Sequence, residues 1–172
     1  MKLSIVLTIT ALVFHSGLAA PPPLPTHDRV SFEGVGEVRV GITLNQLKSI
    51  YSVPMTVEDE LVEGGCTFAY PKKNPYGISF MVVSGIVARI DLFHVGFKTK
   101  AGGQVGDTEK AIKSLYGVRV KVTPHAYDET GHYLTVRSSD GKSSLVFETD
   151  GKVVTGIRIG RLPEAEYIEG CL

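Results

Sequence analysis

The stretch VGITLNQLKSIY at residues 40–51 returns in a closely similar form, VGDTEKAIKSLY, at residues 105–116. Six of the twelve positions are identical, and two more exchange one aliphatic residue for another. A second block, FMVVSG at residues 80–85, aligns with VFETDG at residues 146–151 at nearly the same offset. We infer that an ancestral unit was duplicated and that each copy contains one helix and a similar set of strands.

Each copy carries the signals of a short capped helix. Thr43 is followed three residues later by Gln46, which predicts a capping box, and Thr108 occupies the same place in the second copy. Apolar residues follow each Thr at helical spacing and form one stripe. Pro54 ends the first helix and Gly117 the second.

Alternating apolar and polar residues after each helix predict antiparallel strands joined by hairpins. Ser84-Gly85, Asp140-Gly141 and Asp150-Gly151 are typical hairpin turns. The predicted fold class is α+β, with two tandem units that each consist of a capped helix packed on an antiparallel β-meander. The predicted boundaries are residues 34–97 for the first unit and residues 98–172 for the second.

Residues 1–19 have the pattern of a secretory signal peptide: Lys2, an apolar run, and small residues before the expected cleavage point. An N-terminal anchor that stays attached is the alternative. The proline-rich residues 20–33 are predicted to form an arm. No later segment approaches the roughly 20 apolar residues of a membrane-spanning helix, so we expect a periplasmic or secreted protein without a membrane span after cleavage.

The chain has two cysteines, Cys66 and Cys171. In an exported protein an even number of cysteines indicates a disulfide bond. A catalytic thiol would need a nearby histidine and a zinc site would need more ligands, and the spacing offers neither. The balance of 18 basic and 18 acidic residues lacks the basic surplus of nucleic-acid-binding proteins, so no nucleic-acid partner is expected.

The segments that begin at Gly41-Ile42-Thr43 and at Gly106-Asp107-Thr108 resemble the helix starts of the β-lactamase inhibitory protein superfamily. The same pattern recurs in the small lipoprotein component of the outer-membrane barrel-assembly machine. The resemblance implies a secreted duplication in which helices pack on an antiparallel sheet. No motif outside this scaffold matches, so no inhibitory contact residue is carried over to this chain.

The densest polar cluster lies at residues 124–133, with two histidines, two carboxylates and two tyrosines. It fits a metal site, a histidine–carboxylate acid–base pair, or a hairpin loop with solvated charges that can serve in binding. We favour the loop. Together with a matching loop in the first copy, it gives these candidate binding residues: Tyr70, Tyr76, His125, Tyr127, Asp128, His132 and Tyr133.

The chain has no nucleophile elbow, phosphate-binding loop, His-Glu-x-x-His motif or dinucleotide fingerprint. We therefore expect no catalytic residues, no metal and no cofactor. The predicted function is that of an exported bacterial envelope protein that recognises or inhibits another protein through its loops. The alternatives are a small hydrolase or metal-dependent enzyme centred on His125 and His132, and a cell-wall carbohydrate binder.

Overall fold

The computed structural model of the protein describes residues 29–51, 53–58, 65–74 and 77–171. The predicted signal peptide, residues 1–19, lies outside them. Within the described ranges the chain forms two sheets and two short α-helices. The strands, in chain order, are β1 (Arg29–Ser31), β2 (Gly34–Val35), β3 (Val38–Arg39), β4 (Met55–Val57), β5 (Cys66–Pro71), β6 (Ile78–Val83), β7 (Ile86–Leu92), β8 (Lys98–Thr99), β9 (Lys121–Pro124), β10 (His132–Arg137), β11 (Ser143–Thr149) and β12 (Val154–Arg161).

The larger sheet has eight strands in the order β4-β5-β6-β7-β12-β11-β10-β9, and all neighbours are antiparallel. At its centre β7 pairs with β12, with Ile90 opposite Ile159 and Asp91 opposite Arg158. The smaller sheet has the order β3-β2-β1-β8. Strand β1 falls within residues 20–33, so the end of the predicted arm belongs to this sheet.

The helices are α1 (Leu44–Ile50) and α2 (Glu109–Tyr116). The predicted capping box is confirmed, because the Thr43 hydroxyl accepts the Gln46 N–H while the Gln46 side chain accepts the Thr43 N–H. Thr108 likewise accepts the N–H of Ala111. Helix α2 ends at Gly117, whose φ of 58° suits glycine. A 3₁₀ helix follows at Gly117–Arg119.

The predicted fold class, α+β with two tandem helix-on-meander units, is wrong. Strands dominate the described part of the chain, and the two α-helices have only seven and eight residues. The two meanders join through β7 and β12 into one large antiparallel sheet that crosses the predicted boundary. The physical reason is that such short helices cover little of a sheet, so the strands satisfy their free edges by pairing with each other.

The two halves of the larger sheet nevertheless show matching contacts. The residue that caps each helix makes an isolated bridge to the sheet, Thr43 to Ile86 and Thr108 to Val153. The last residue of each twelve-residue block packs its ring on a phenylalanine of the sheet, with centroids 5.6 Å apart for Tyr51–Phe80 and 5.5 Å for Tyr116–Phe147. The two short helices thus meet the sheet through equivalent contacts.

One hydrophobic core lies between the larger sheet and the helices, and it includes the valines of the smaller sheet. We call the side of the larger sheet that bears the helices the helix face and the opposite side the outer face. Neither of the two α-helices in the described ranges has the length and hydrophobicity of a membrane-spanning helix.

The predicted disulfide is confirmed. Cys66, in β5, is bonded to Cys171, and their Cα atoms are 5.3 Å apart. The bond ties down residues 162–171, which follow β12 and which we call the strap. The strap contains a second 3₁₀ helix, Glu164–Glu166.

Helix α2 offers a matched test of the core. Ile112 is fully buried, whereas Leu115 is 41% exposed in the same helix. We expect Ile112→Ala to lower the free energy of unfolding by about 2–5 kcal/mol, because it leaves a cavity. Leu115→Ala should change it by less than about 1 kcal/mol. Urea denaturation measures both, and equal losses would contradict this position of the helix.

Candidate functional site

The structure places the two histidines of the predicted loop on opposite faces of the sheet. His132, at the start of β10, contacts Glu109 of α2 on the helix face. His125, in the β9–β10 connection, contacts Glu148 and Tyr133 on the outer face. The two imidazoles therefore cannot share a metal or a substrate. Within the described ranges no group of three or more His, Cys, Asp or Glu side chains could hold a metal ion.

On the helix face, His132 belongs to a structural cluster around Glu109. The Glu109 carboxylate accepts hydrogen bonds from His132 Nδ1 at 2.7 Å, Thr149 Oγ1 at 2.6 Å and Lys113 Nζ at 2.9 Å. Burial alone would raise the pKa of Glu109, but the bonds from Thr149, Lys113 and His132 outweigh it and lower the pKa to about 2. The cluster fastens α2 to β10 and β11.

The loop between β9 and β10 is held together by its own polar groups. Asp128 Oδ1 accepts the backbone N–H groups of Thr130 and Gly131 and the Thr130 hydroxyl. These bonds, first among them that from the Thr130 N–H, lower the pKa of Asp128. Asp128 thus shapes the loop. Tyr127 lies at the tip, with 71% of its surface exposed.

The hydrogen bonds of His125 fix its tautomer. Nδ1 accepts the backbone N–H groups of Tyr127 and Asp128 at 3.1 and 3.0 Å, so it carries no proton. The proton is on Nε2, which donates to Glu148 Oε1 at 2.9 Å. The ring stacks on Tyr133 with centroids 4.6 Å apart. His125 therefore anchors the loop to the outer face.

Arg158 is the central side chain of the outer face. Its side chain is 8% exposed, and Nη2 donates to Glu148 Oε2 at 2.7 Å while Nη1 donates to the carbonyl of Tyr167 in the strap. The guanidinium lies 5.1 Å from the Tyr133 ring centroid. Nε–H has no hydrogen-bond partner among the described residues.

Glycines flank Arg158 at the two neighbouring outer-face positions of β12. A Cβ at Gly160 would lie 2.5 Å from the Ala88 carbonyl oxygen, so no side chain fits there. At Gly156 a Cβ would make ordinary van der Waals contact with the Phe93 ring, at 3.4 Å. The pattern Gly-Ile-Arg-Ile-Gly thus leaves this part of the outer face to the arginine.

A second buried arginine holds the strap. Arg89 Nε lies 3.0 Å from Asp91 Oδ1, and its Nη1 donates to the carbonyls of Glu164 and Tyr167 at 3.2 and 3.3 Å. Burial raises the pKa of Asp91, although the adjacent Arg89 opposes this effect. Arg89 and Arg158 together with the disulfide thus fix the strap across the outer face.

A cleft of about 310 Å³ opens between the strap and strands β9 to β12. We call it the outer-face cleft. Four of its side chains are basic and one is acidic, so its charge is positive. The lining residues are Arg119, Lys121, Thr123, Tyr133, Thr135, Arg137, Val146, Arg158, Glu166 and Ile168.

The structure brings together part of the predicted site. Tyr133 lines the cleft, and His125 and Tyr127 lie beside it. Tyr70 is on β5, five strands away from β10, which corresponds to roughly 24 Å at the usual strand spacing. It does not line the cleft. Tyr76 lies outside the described residues.

The basic residues of the cleft and Glu166 were not among the binding residues predicted from the sequence. A signal for them was present. Arg119 and Lys121 alternate with valines, and Arg137 has the same strand parity as Tyr133, so these side chains point to one face. The Gly-Ile-Arg-Ile-Gly run of residues 156–160 was a further signal, because an arginine between two apolar residues in a central strand is rarely buried unless it is paired with acceptor groups.

No known protein family matches the chain, and no curated relative does. Among solved structures, the fold is similar to that of the uncharacterized protein yfeY from Escherichia coli. The TM-score is 0.52 at 16% sequence identity, over 77% of this chain and 99% of that one. This likeness shows the fold alone.

An extracellular protein containing a SCP domain from Bacillus anthracis str. Ames gives a TM-score of 0.48 at 12% identity. The match covers 90% of this chain and 49% of that protein, so this chain spans about half of its length.

The Glu109 cluster predicts a pH dependence of stability. The pKa of Glu109 falls from 4.5 in the unfolded chain to about 2 in the folded one, so its stabilisation is complete above pH 4.5 and is lost as the pH falls toward 2. We expect Glu109→Gln to destabilise the protein at pH 6 by on the order of 2 kcal/mol, and by much less at pH 2.5.

Denaturation with urea at several pH values measures this difference. Glu129→Gln, in the loop, is the matched control for the loss of one negative charge. A Glu109→Gln penalty that is the same at pH 6 and at pH 2.5 would contradict the assignment.

Proposed function

We propose that the protein is an exported binding protein that recognises another protein through the outer-face cleft and the adjacent loop. The observation that carries this proposal is the convergence of four basic side chains and Tyr133 on one face, while the helices and the smaller sheet pack against the other. The disulfide is compatible with a secreted or periplasmic location.

The chemistry of the rim supports a protein partner. Tyr127, Tyr167 and Ile168 are 71%, 44% and 50% exposed around the cleft. Tyrosine and arginine are the side chains that most often supply binding energy at protein interfaces, because they combine large contact areas with directed hydrogen bonds. A basic cleft also favours an acidic partner and accelerates its approach.

The geometry favours this function over the two alternatives drawn from the sequence. A hydrolase centred on His125 and His132 would need both imidazoles at one substrate, and they lie on opposite faces. A carbohydrate site built from the four loop tyrosines would need Tyr70 near Tyr133, and several strands separate them. His125 and Asp128 hold the loop in place, which leaves Tyr127 exposed at its tip for the partner.

Site-specific photo-cross-linking tests the proposal. A photoreactive p-benzoylphenylalanine would replace Lys121, in the cleft, or Lys110, on α2; both positions are exposed. After incubation with the envelope and extracellular fractions of the producing bacterium, we expect a discrete protein adduct from position 121 and none from position 110, because only the cleft contacts the partner.

Arg119→Ala should reduce the yield of that adduct several-fold, since it removes a cleft charge. Lys48→Ala, on α1, is the charge-matched control and should leave the yield unchanged. Equal adducts from positions 110 and 121 would place recognition elsewhere and refute the proposal.

A further inference from the structure

We propose that the outer-face cleft contains a binding site for a carboxylate or phosphate group, built around Arg137 and Lys121, and that Glu166 of the strap occupies this site in the free protein. This inference rests on the proposed function and deepens it, because it names the chemical group that the partner presents. The external group would displace the Glu166 carboxylate from Arg137.

The contacts of Glu166 are those of a bound carboxylate ligand. Arg137 Nε donates to Oε1 at 2.8 Å and Nη2 donates to Oε2 at 2.6 Å, which is the two-pronged geometry by which arginine recognises carboxylates and phosphates. The Ser144 hydroxyl donates to Oε1 as well. The hydrogen bonds from Arg137 lower the pKa of Glu166, with a smaller contribution from the nearby charge of Lys121.

The pair is accessible to a competitor. The Arg137 side chain is 57% exposed and that of Glu166 is 28% exposed. Exposed ion pairs of this kind are weak, because water solvates both partners when they separate. A ligand with the same geometry can therefore replace Glu166 at little cost, while the disulfide and the contacts of Arg89 still retain the strap.

The remaining charges of the cleft favour such a ligand. Among the described residues neither Arg119 nor Lys121 forms an ion pair, so two positive charges in the cleft are not neutralised. Arg158 lines the same cleft, is more than nine-tenths buried, and retains an Nε–H donor without a partner among these residues. A buried donor of this kind is costly unless a ligand or water satisfies it.

A ligand with more negative charge than the Glu166 carboxylate would be stabilised by these basic side chains. Glu166 contributes a single carboxylate, whereas the cleft holds three basic side chains, Arg119, Lys121 and Arg137, besides the Arg158 that is paired with Glu148. The proposed ligand is therefore a group with two or more negative charges, such as adjacent acidic side chains of a protein or a phosphorylated side chain. Both groups present two anionic oxygens that an arginine can bind in a bidentate manner, and calorimetry with one probe of each kind separates them.

Titration calorimetry with glutarate and with inorganic phosphate tests the site in the disulfide-bonded protein. We expect Glu166→Gln to bind at least one of the two probes roughly fivefold to tenfold more tightly than the wild type, because the internal competitor has lost its charge. Adding Arg137→Gln to this variant should abolish the gain. Glu169→Gln, which removes a charge from the strap outside the cleft lining, is the matched control and should bind like the wild type.

Preference for glutarate would identify carboxylates as the ligand class, and preference for phosphate would identify phosphate groups. Affinity for both probes that is equal in the wild type and in Glu166→Gln would overturn the inference. If Glu166→Gln does not fold, Ser144→Ala replaces it in the test, because it removes one hydrogen bond that holds Glu166 and keeps the carboxylate. Tighter binding of either probe by Ser144→Ala would support the site. An unchanged affinity for both probes would overturn it.

The two proposals fail in different ways. If neither probe binds but cross-linking at position 121 persists, only the proposed anion site is refuted. If the probes bind but no adduct is specific to the cleft, the proposed protein partner is refuted and the anion-binding site stands.

Discussion

The antiparallel pairing of β7 with β12 is the constraint on which the rest of the structure depends. Its register places Ile90 opposite Ile159 on the helix face, where both are fully buried, and Asp91 opposite Arg158 on the outer face. A single junction therefore completes the hydrophobic core on one side of the sheet and assembles a buried ionic cluster on the other. A shift of one residue would exchange the two sets of side chains and place charges in the core.

The buried cluster in turn positions the strap. Removing Arg89 and Arg158 from water is costly unless their N–H groups find acceptors. The nearby carboxylates of Asp91 and Glu148 accept only some of these N–H groups. The carbonyls of Glu164 and Tyr167 accept several of them. The strap thus accepts hydrogen bonds from both arginines, the arginines hold the strap, and the cleft exists because the strap forms one of its walls. The disulfide secures the same segment at its far end.

Local features of the fold could be predicted from the sequence, whereas its assembly could not. The Thr43 cap and the Ser84-Gly85 turn depend on a few neighbouring residues, and the disulfide depends on the compartment and the cysteine count. The fold class depended on how two meanders meet, which is a non-local pairing that no short pattern encodes. The candidate site shows the same limit. His125 and His132 are close in sequence, but His125 lies in a loop that folds onto the outer face, whereas the parity of β10 places His132 on the helix face. Attention to the parity of Arg119, Lys121, Tyr133 and Arg137 would have predicted one basic face.

Native-state hydrogen exchange of the β7 and β12 amides tests the central claim, that one continuous sheet unites both halves of the chain. If the claim holds, the amides of the paired residues Ile90 and Ile159 exchange only through global unfolding, with a free energy equal to that from denaturant titration. Exchange of either strand at a clearly lower free energy, with the two halves opening as separate units, would contradict it.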